Sequence, residues 1–154
     1  METVKLSWHG PFPLEELSEW EISDEVMGVY VLLDSEHNEE RRSWVHHAIL
    51  YIGMVYEQTF LDRVKQHLRG DDAWRWVEKH HEYEVTIKVA RVMLLERQRI
   101  SKQFLQDIES LLIVVEHPGG NVQSTKTYAG PDLEIRNTRK YNPLGEIIST
   151  EDLQ

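Results

Sequence analysis

Residues 26–34 read VMGVYVLLD and residues 44–52 read WVHHAILYI, and these two stretches decide the fold. The first is rich in β-branched residues and apolar on both faces, the pattern of a central buried strand. Polar residues 35–43, SEHNEERRS, break it, and the second run ends at Gly53. Two strands joined by so short a polar connection are expected to pair as an antiparallel hairpin.

Beyond Gly53 the apolar period becomes helical. Phe60, Leu61, Val64 and Leu68 share one face of a helix expected over about 58–69 and stopped by Gly70. Asp71 and Asp72 then cap a second short helix, AWRWVEKH. Residues 83–93, YEVTIKVARVM, alternate as a third strand. The longest helix is expected over about 96–116, with Ile100, Phe104, Leu105, Ile108, Leu111, Leu112 and Val115 as its buried stripe and Pro118-Gly119-Gly120 as its stop. Upstream, PLEELSEW (13–20) reads as a short acidic helix with proline near its first turn; downstream of Asn121 the chain reads as polar loop with at most one short element. The order ββααβα predicts an α+β fold, a three-stranded antiparallel sheet flanked by helices.

Composition bounds what such a domain does. The chain has 154 residues, 40% hydrophobic and 29% charged, which suits one globular domain with its own core. Zero cysteines remove disulfides, thiolate metal sites and cysteine nucleophiles together. No apolar run approaches the ~20 residues of a membrane span, and METVKLSWHG is no signal peptide, so the expected address is the cytoplasm, with no membrane partner. The net charge of −10 is uneven: residues 1–27 hold seven acids against Lys5 alone, leaving −6 there and −4 over the rest. Residues 1–25 are therefore read as an acidic extension, 26–123 as the functional domain and 124–154 as a polar extension. An acidic leader of this kind would repel a polyanionic partner, and removing residues 1–20 would then tighten the binding of such a partner at low salt.

Certain residues are odd for their positions. Tyr30 lies in the middle of the first strand and Tyr51 near the end of the second. Arg63 and His67 are spaced i, i+4 and border the apolar stripe of the first helix. Glu109 flanks the stripe of the last. A tyrosine pair, an Arg/His pair and a carboxylate bordering one core are expected to meet in a single cleft. Taken residue by residue, blander roles stay open: core tyrosines with satisfied hydroxyls, a helix-edge Glu109 paired with Arg63, an exposed His67, a turn at Asn121.

Together these residues resemble a known family. Gly28-Val29-Tyr30 followed by Tyr51-Ile52-Gly53 is similar to the paired signature of the GIY-YIG nucleases. Arg63 and His67, then Glu109 within Ile108-Glu109-Ser110-Leu111-Leu112-Ile113, then Asn121 after Pro118, follow in that family's order. Val29 stands where the family has isoleucine, and the link between Tyr30 and Tyr51 is lengthened, as in its restriction-enzyme branch. The resemblance implies a stand-alone, divalent-metal-dependent endonuclease acting on DNA. Its candidate catalytic residues are Tyr30, Tyr51, Arg63, His67, Glu109 and Asn121. Glu109 would hold Mg²⁺ or Mn²⁺, which takes its other ligands from water and phosphate. Arg63 would fork onto non-bridging oxygens. Tyr30 would activate or position water and pass a proton to His67, Tyr51 would bond the phosphate or its waters, and Asn121 would brace the loop after the long helix. RNA as substrate and a homodimeric state are left open.

The competing reading keeps the same fold as a catalytically weak or inactive nucleic-acid-binding or protein-interaction module; an unrelated α+β binding protein is a third. Other constellations are weaker. His46-His47 and His80-His81 suggest metal ligands, but neighbours on a strand point to opposite faces. Trp74 and Trp76 beside Arg75 and Lys79 suit base stacking or plain packing. Arg136, Arg139 and Lys140 suit phosphate contacts or a solvated loop.

Overall fold

A computed structural model describes residues 1–94, 99–121 and 127–153. The elements are β1 (Glu2–Pro13), β2 (Met27–Asn38), β3 (Ser43–Tyr56), α1 (Phe60–Leu68), α2 (Asp72–His80), β4 (Glu84–Leu94), α3 (Lys102–Glu116), β5 (Leu133–Arg139) and β6 (Ile147–Ser149). Short 3₁₀ segments cover Leu14–Glu19, Glu21–Asp24 and Thr150–Leu153. The expected helix start near 96 and the expected boundary at 123/124 lie outside the described residues. No helix among the described residues is long and apolar enough to cross a membrane.

The central strand behaves as its composition dictates. Residues 28–35 of β2 are buried without interruption, because β3 pairs along one side and β4 along the other, both antiparallel. The β2–β3 hairpin closes at Asn38↔Ser43 across the polar stretch.

The expected three-stranded antiparallel sheet is corrected by the observed one. It has six strands in the order β3-β2-β4-β1-β5-β6, and it is mixed, because β1 and β5 run parallel from Glu2↔Leu133 to Trp8↔Arg139. The fold remains α+β, but both chain ends supply strands. Val4, Leu6 and Trp8 of β1 alternate inward and are at most 1% exposed. Leu133, Ile135 and Asn137 alternate inward on β5 and are also buried, and Trp8 Nε1 donates to Asn137 Oδ1 at 2.8 Å across the pair. Most of the acids of residues 1–27 lie after this strand, in the 3₁₀ segments that replace the expected helix over 13–20.

Two cores result, one per face. Val29, Val31 and Leu33 join β1, β5 and the apolar stripe of α3 on one side. Tyr30, Leu32 and Val89 join Phe60 and Val64 of α1, Val77 of α2 and the 3₁₀ residues Leu17 and Ile22 on the other. Each helix start is capped by a side-chain oxygen: Thr59 accepts from the Asp62 amide, Asp71 from Trp74, Ser101 from Phe104. Because Ser101 is the cap of α3, Ile100 precedes that helix and packs on the core from the loop.

Candidate active site

The parity of β2 sends Tyr30 to the face opposite Val29 and Val31, beneath α1. There its hydroxyl lies 2.6 Å from His67 Nε2, and its ring meets Phe60 edge-on at a centroid distance of 6.4 Å. Tyr30 and His67 are each 1% exposed. Tyr51, from the neighbouring strand, packs tilted against Tyr30 at 6.0 Å and edge-on against His67 at 5.2 Å. It is less buried than Tyr30 and lies close enough to Tyr30 and Arg63 for both to act on its acidity.

Two glycines permit this packing. A Cβ on Gly53 would overlap the Tyr30 ring and hydroxyl, and one on Gly28 would overlap the Ala90 carbonyl and the Phe60 ring. Replacing Gly53 by alanine is therefore expected to cost about 2–3 kcal/mol in urea unfolding, since overpacking against a rigid ring is not relieved by a rotamer change. It should also displace the Tyr30 hydroxyl from His67. A Gly53→Ala variant with unchanged stability would show that the ring yields.

One turn from His67 on α1, Arg63 reaches Gln66 Oε1 at 3.2 Å and Asp71 Oδ2 at 3.4 Å. Burial lowers its affinity for the proton, but Tyr30, Tyr51 and the Asp71 carboxylate more than offset this and raise it above the ordinary guanidinium value. His67 has a second neighbour: its Nδ1 stands 2.8 Å from Asp71 Oδ2, close enough for an ion pair though short of hydrogen-bond alignment. Burial keeps the His67 pKa below 6.5 despite that carboxylate, so the imidazole is neutral at pH 7. Burial, and then the neighbouring Tyr51, push the Tyr30 phenol well above 10.

Glu109 arrives differently. Helix α3 covers the other face of the sheet, so the expectation of one shared core does not describe it. β3 is the edge strand, and the Glu109 carboxylate meets the outward-facing Met54 amide of that edge. From there it is electrostatically coupled to Tyr30, Tyr51 and Arg63. Burial raises its pKa to about 7, against the pull of Arg63 and the Met54 amide. The cluster thus assembles at the open edge of the sheet, fed from both faces.

Asn121 belongs to the scaffold of this cluster. Its Oδ1 accepts from the Ile52 amide at 2.9 Å and its Nδ2 donates to the Ile52 carbonyl at 2.7 Å, while the Gly120 amide donates to the Leu50 carbonyl at 2.9 Å. The segment after α3 therefore pairs with β3 where the unpaired edge needs partners, and it holds Tyr51 and Gly53 on either side of Ile52. Both polar atoms of the Asn121 side chain are spent on backbone.

Asp71 is the participant that sequence reasoning assigned only to a helix cap. Its Oδ1 does accept from the Trp74 amide at 2.8 Å, but Oδ2 turns to His67 and Arg63. The available signal was an acid four residues after His67, disguised by the helix break at Gly70 between them.

Several of the remaining candidates have local partners. His46 Nδ1 bonds Ser35 Oγ at 2.7 Å, while His47 bonds Glu36 and stacks on Tyr83. Trp76 stacks on His80, and Arg136 pairs with Glu134 at 2.9 Å. Among the described residues no three His, Cys, Asp or Glu side chains gather as a metal cage. No protein-family model, curated protein or solved structure matches this chain.

Proposed function

We propose that this chain is a divalent-metal-dependent endonuclease of GIY-YIG type that hydrolyses DNA phosphodiester bonds, working in the cytoplasm, where a cysteine-free protein loses nothing to reduction. The observation that carries the reading is the 2.6 Å contact between the Tyr30 hydroxyl and the neutral imidazole of His67, with Tyr51, Arg63 and Glu109 coupled around it. A phenol far from its ordinary acidity is a poor base unless its own proton has somewhere to go. A neutral histidine at hydrogen-bond distance is that destination.

The residues fit a hard divalent ion. Glu109 is a mostly buried carboxylate whose charged form is under-compensated, held near neutrality with Arg63 as its cationic neighbour. It would be the protein ligand, and an ion bound by one carboxylate fills its shell from water and phosphate. When bound, such an ion supplies positive charge to the phosphate oxygens as the transition state develops. Arg63 offers a planar donor fork for a non-bridging oxygen. Tyr51, packed on Tyr30 and His67 and electrostatically linked to Arg63, stands between the guanidinium that would hold phosphate and the phenol–imidazole pair. Asn121 keeps this strand in register.

One observation favours the second reading, an inactive module on the same fold: the Tyr30 side chain is nearly closed to solvent. Incubation with supercoiled plasmid and Mg²⁺ or Mn²⁺, with and without EDTA, separates the two. Nicking or linearisation that EDTA abolishes is the expected result. Binding of labelled DNA or RNA without cleavage under either ion would instead support the module.

A further inference from the structure

We infer that Asp71 is a positioning residue that holds His67 in the Nδ1–H tautomer, leaving Nε2 as the acceptor for the Tyr30 proton. The argument begins at His67 Nδ1. That atom is buried and, among the described residues, has no polar neighbour in hydrogen-bond alignment; the Asp71 Oδ2 stands 2.8 Å from it. Were Nδ1 the unprotonated nitrogen, two electron-rich acceptor atoms would stand 2.8 Å apart with no proton on either to offset their repulsion. A proton on Asp71 would relieve this, but three groups hold that carboxylate ionised. They are the His67 ring, the Trp74 amide at 2.8 Å from Oδ1 and the Arg63 guanidinium at 3.4 Å from Oδ2, and together they outweigh its burial. The neutral ring therefore carries its single proton on Nδ1.

Nε2 is then a lone pair, and at 2.6 Å the Tyr30 hydroxyl can only donate to it. This makes an Asp–His–Tyr chain in which a carboxylate fixes the imidazole and the imidazole stands ready to accept. The implied step balances. A water O–H bond breaks as its proton passes to the Tyr30 oxygen, the Tyr30 O–H proton passes to His67 Nε2, and hydroxide and imidazolium result. The imidazolium forms beside the Asp71 carboxylate, which compensates its charge. The link to cleavage rests on the nuclease reading above; the tautomer assignment does not.

Asp71→Asn tests it with little structural disturbance. Asparagine caps helices as well as aspartate does, and keeping Oδ1 on the Trp74 amide forces the NH₂ group toward His67. The ring must then accept at Nδ1 and move its proton to Nε2. Two-bond ¹H–¹⁵N NMR of the imidazoles, with His67 assigned by its loss in His67→Gln, reads the tautomer directly. Nδ1–H in the wild type and Nε2–H in Asp71→Asn are expected, together with a roughly 10²–10⁴-fold loss of plasmid cleavage. Should Asp71→Asn fail to fold, Asp71→Ser keeps a capping hydroxyl too short to reach His67, and it should show mixed tautomers. A wild-type ring protonated at Nε2, or a variant whose tautomer matches the wild type, overturns the assignment. A switched tautomer with undiminished cleavage overturns the catalytic part. A wild type that cleaves nothing removes the nuclease reading and leaves the tautomer result standing.

Discussion

Deletion of residues 1–13 is expected to leave no folded protein. β1 is the fourth of six strands, laddered to β4 from Val4↔Leu94 to Pro13↔Thr86 and to β5 from Glu2↔Leu133 to Trp8↔Arg139. It buries Val4, Leu6 and Trp8 almost completely in one core and Phe12 in the other. At about 1.5–3 kcal/mol for each large apolar side chain removed, the loss reaches the ~5–15 kcal/mol that a whole domain has to spare. Both β4 and β5 would also be left with unpaired backbone groups. Far-UV circular dichroism and a urea titration of the truncated chain check this. A cooperative transition with near-native signal would mean that the first strand is dispensable. A detachable acidic leader whose loss tightens DNA binding is thus not what this segment is, because its acids follow a strand that the sheet cannot lose.

Replacement of Glu109 by glutamine is expected to abolish metal-dependent cleavage, by on the order of 10³-fold or more, while stabilising the free protein at alkaline pH. Both effects come from one buried carboxylate. Burial raises its pKa from 4.5 to about 7 on folding. A carboxyl that holds its proton more tightly when folded stabilises the fold fully below the unfolded value. That contribution is lost as pH rises through the folded value, because the charged form must then be buried. In EDTA the wild type should therefore lose stability between about pH 4.5 and 7, on the order of 3 kcal/mol by pH 8. Glu109→Gln, neutral throughout, should match the wild type at pH 4.5 and exceed it at pH 8. Adding Mg²⁺ at pH 8 should restore the wild type and leave the variant unmoved. Urea midpoints at three pH values, with and without the ion, measure all of this. Parallel pH profiles for the two proteins would remove the burial argument, and equal Mg²⁺ shifts would move the ion to another group.

Local elements were legible because their signals are local. The unbroken apolar run 26–34 reads as a strand covered on both faces, and the polar stretch after it holds the turn, although β2 runs on to Asn38 and β3 starts at Ser43, so that only residues 39–42 connect them. The period-3.6 stripe of α1, its Gly70 stop and the Asp71 cap each lie within a few residues of what they specify. Tyr30 and His67 meet for the same kind of reason: strand parity places the tyrosine under α1, and the i, i+4 spacing places the histidine beside Arg63.

What the sequence by itself determined is therefore the identity of β2, β3, β4 and the three helices, and the gathering of Tyr30, Tyr51, Arg63 and His67 on one face. What only the tertiary structure decided is the pairing of distant partners. TVKLSW alternates strictly and LEIRNT does so over its first four residues, so each carries a strand signal, but nothing within either names the other as its parallel neighbour across some 130 residues of chain. That pairing fills one flank of the sheet and leaves β3 as the edge on the other. An edge strand has free amides, and one of them, on Met54, is where Glu109 comes round from the opposite core to join the tyrosines. The second role of Asp71 was hidden for a related reason. A carboxylate has two oxygens, the helix cap uses one, and where the other points depends on how α2 packs against α1.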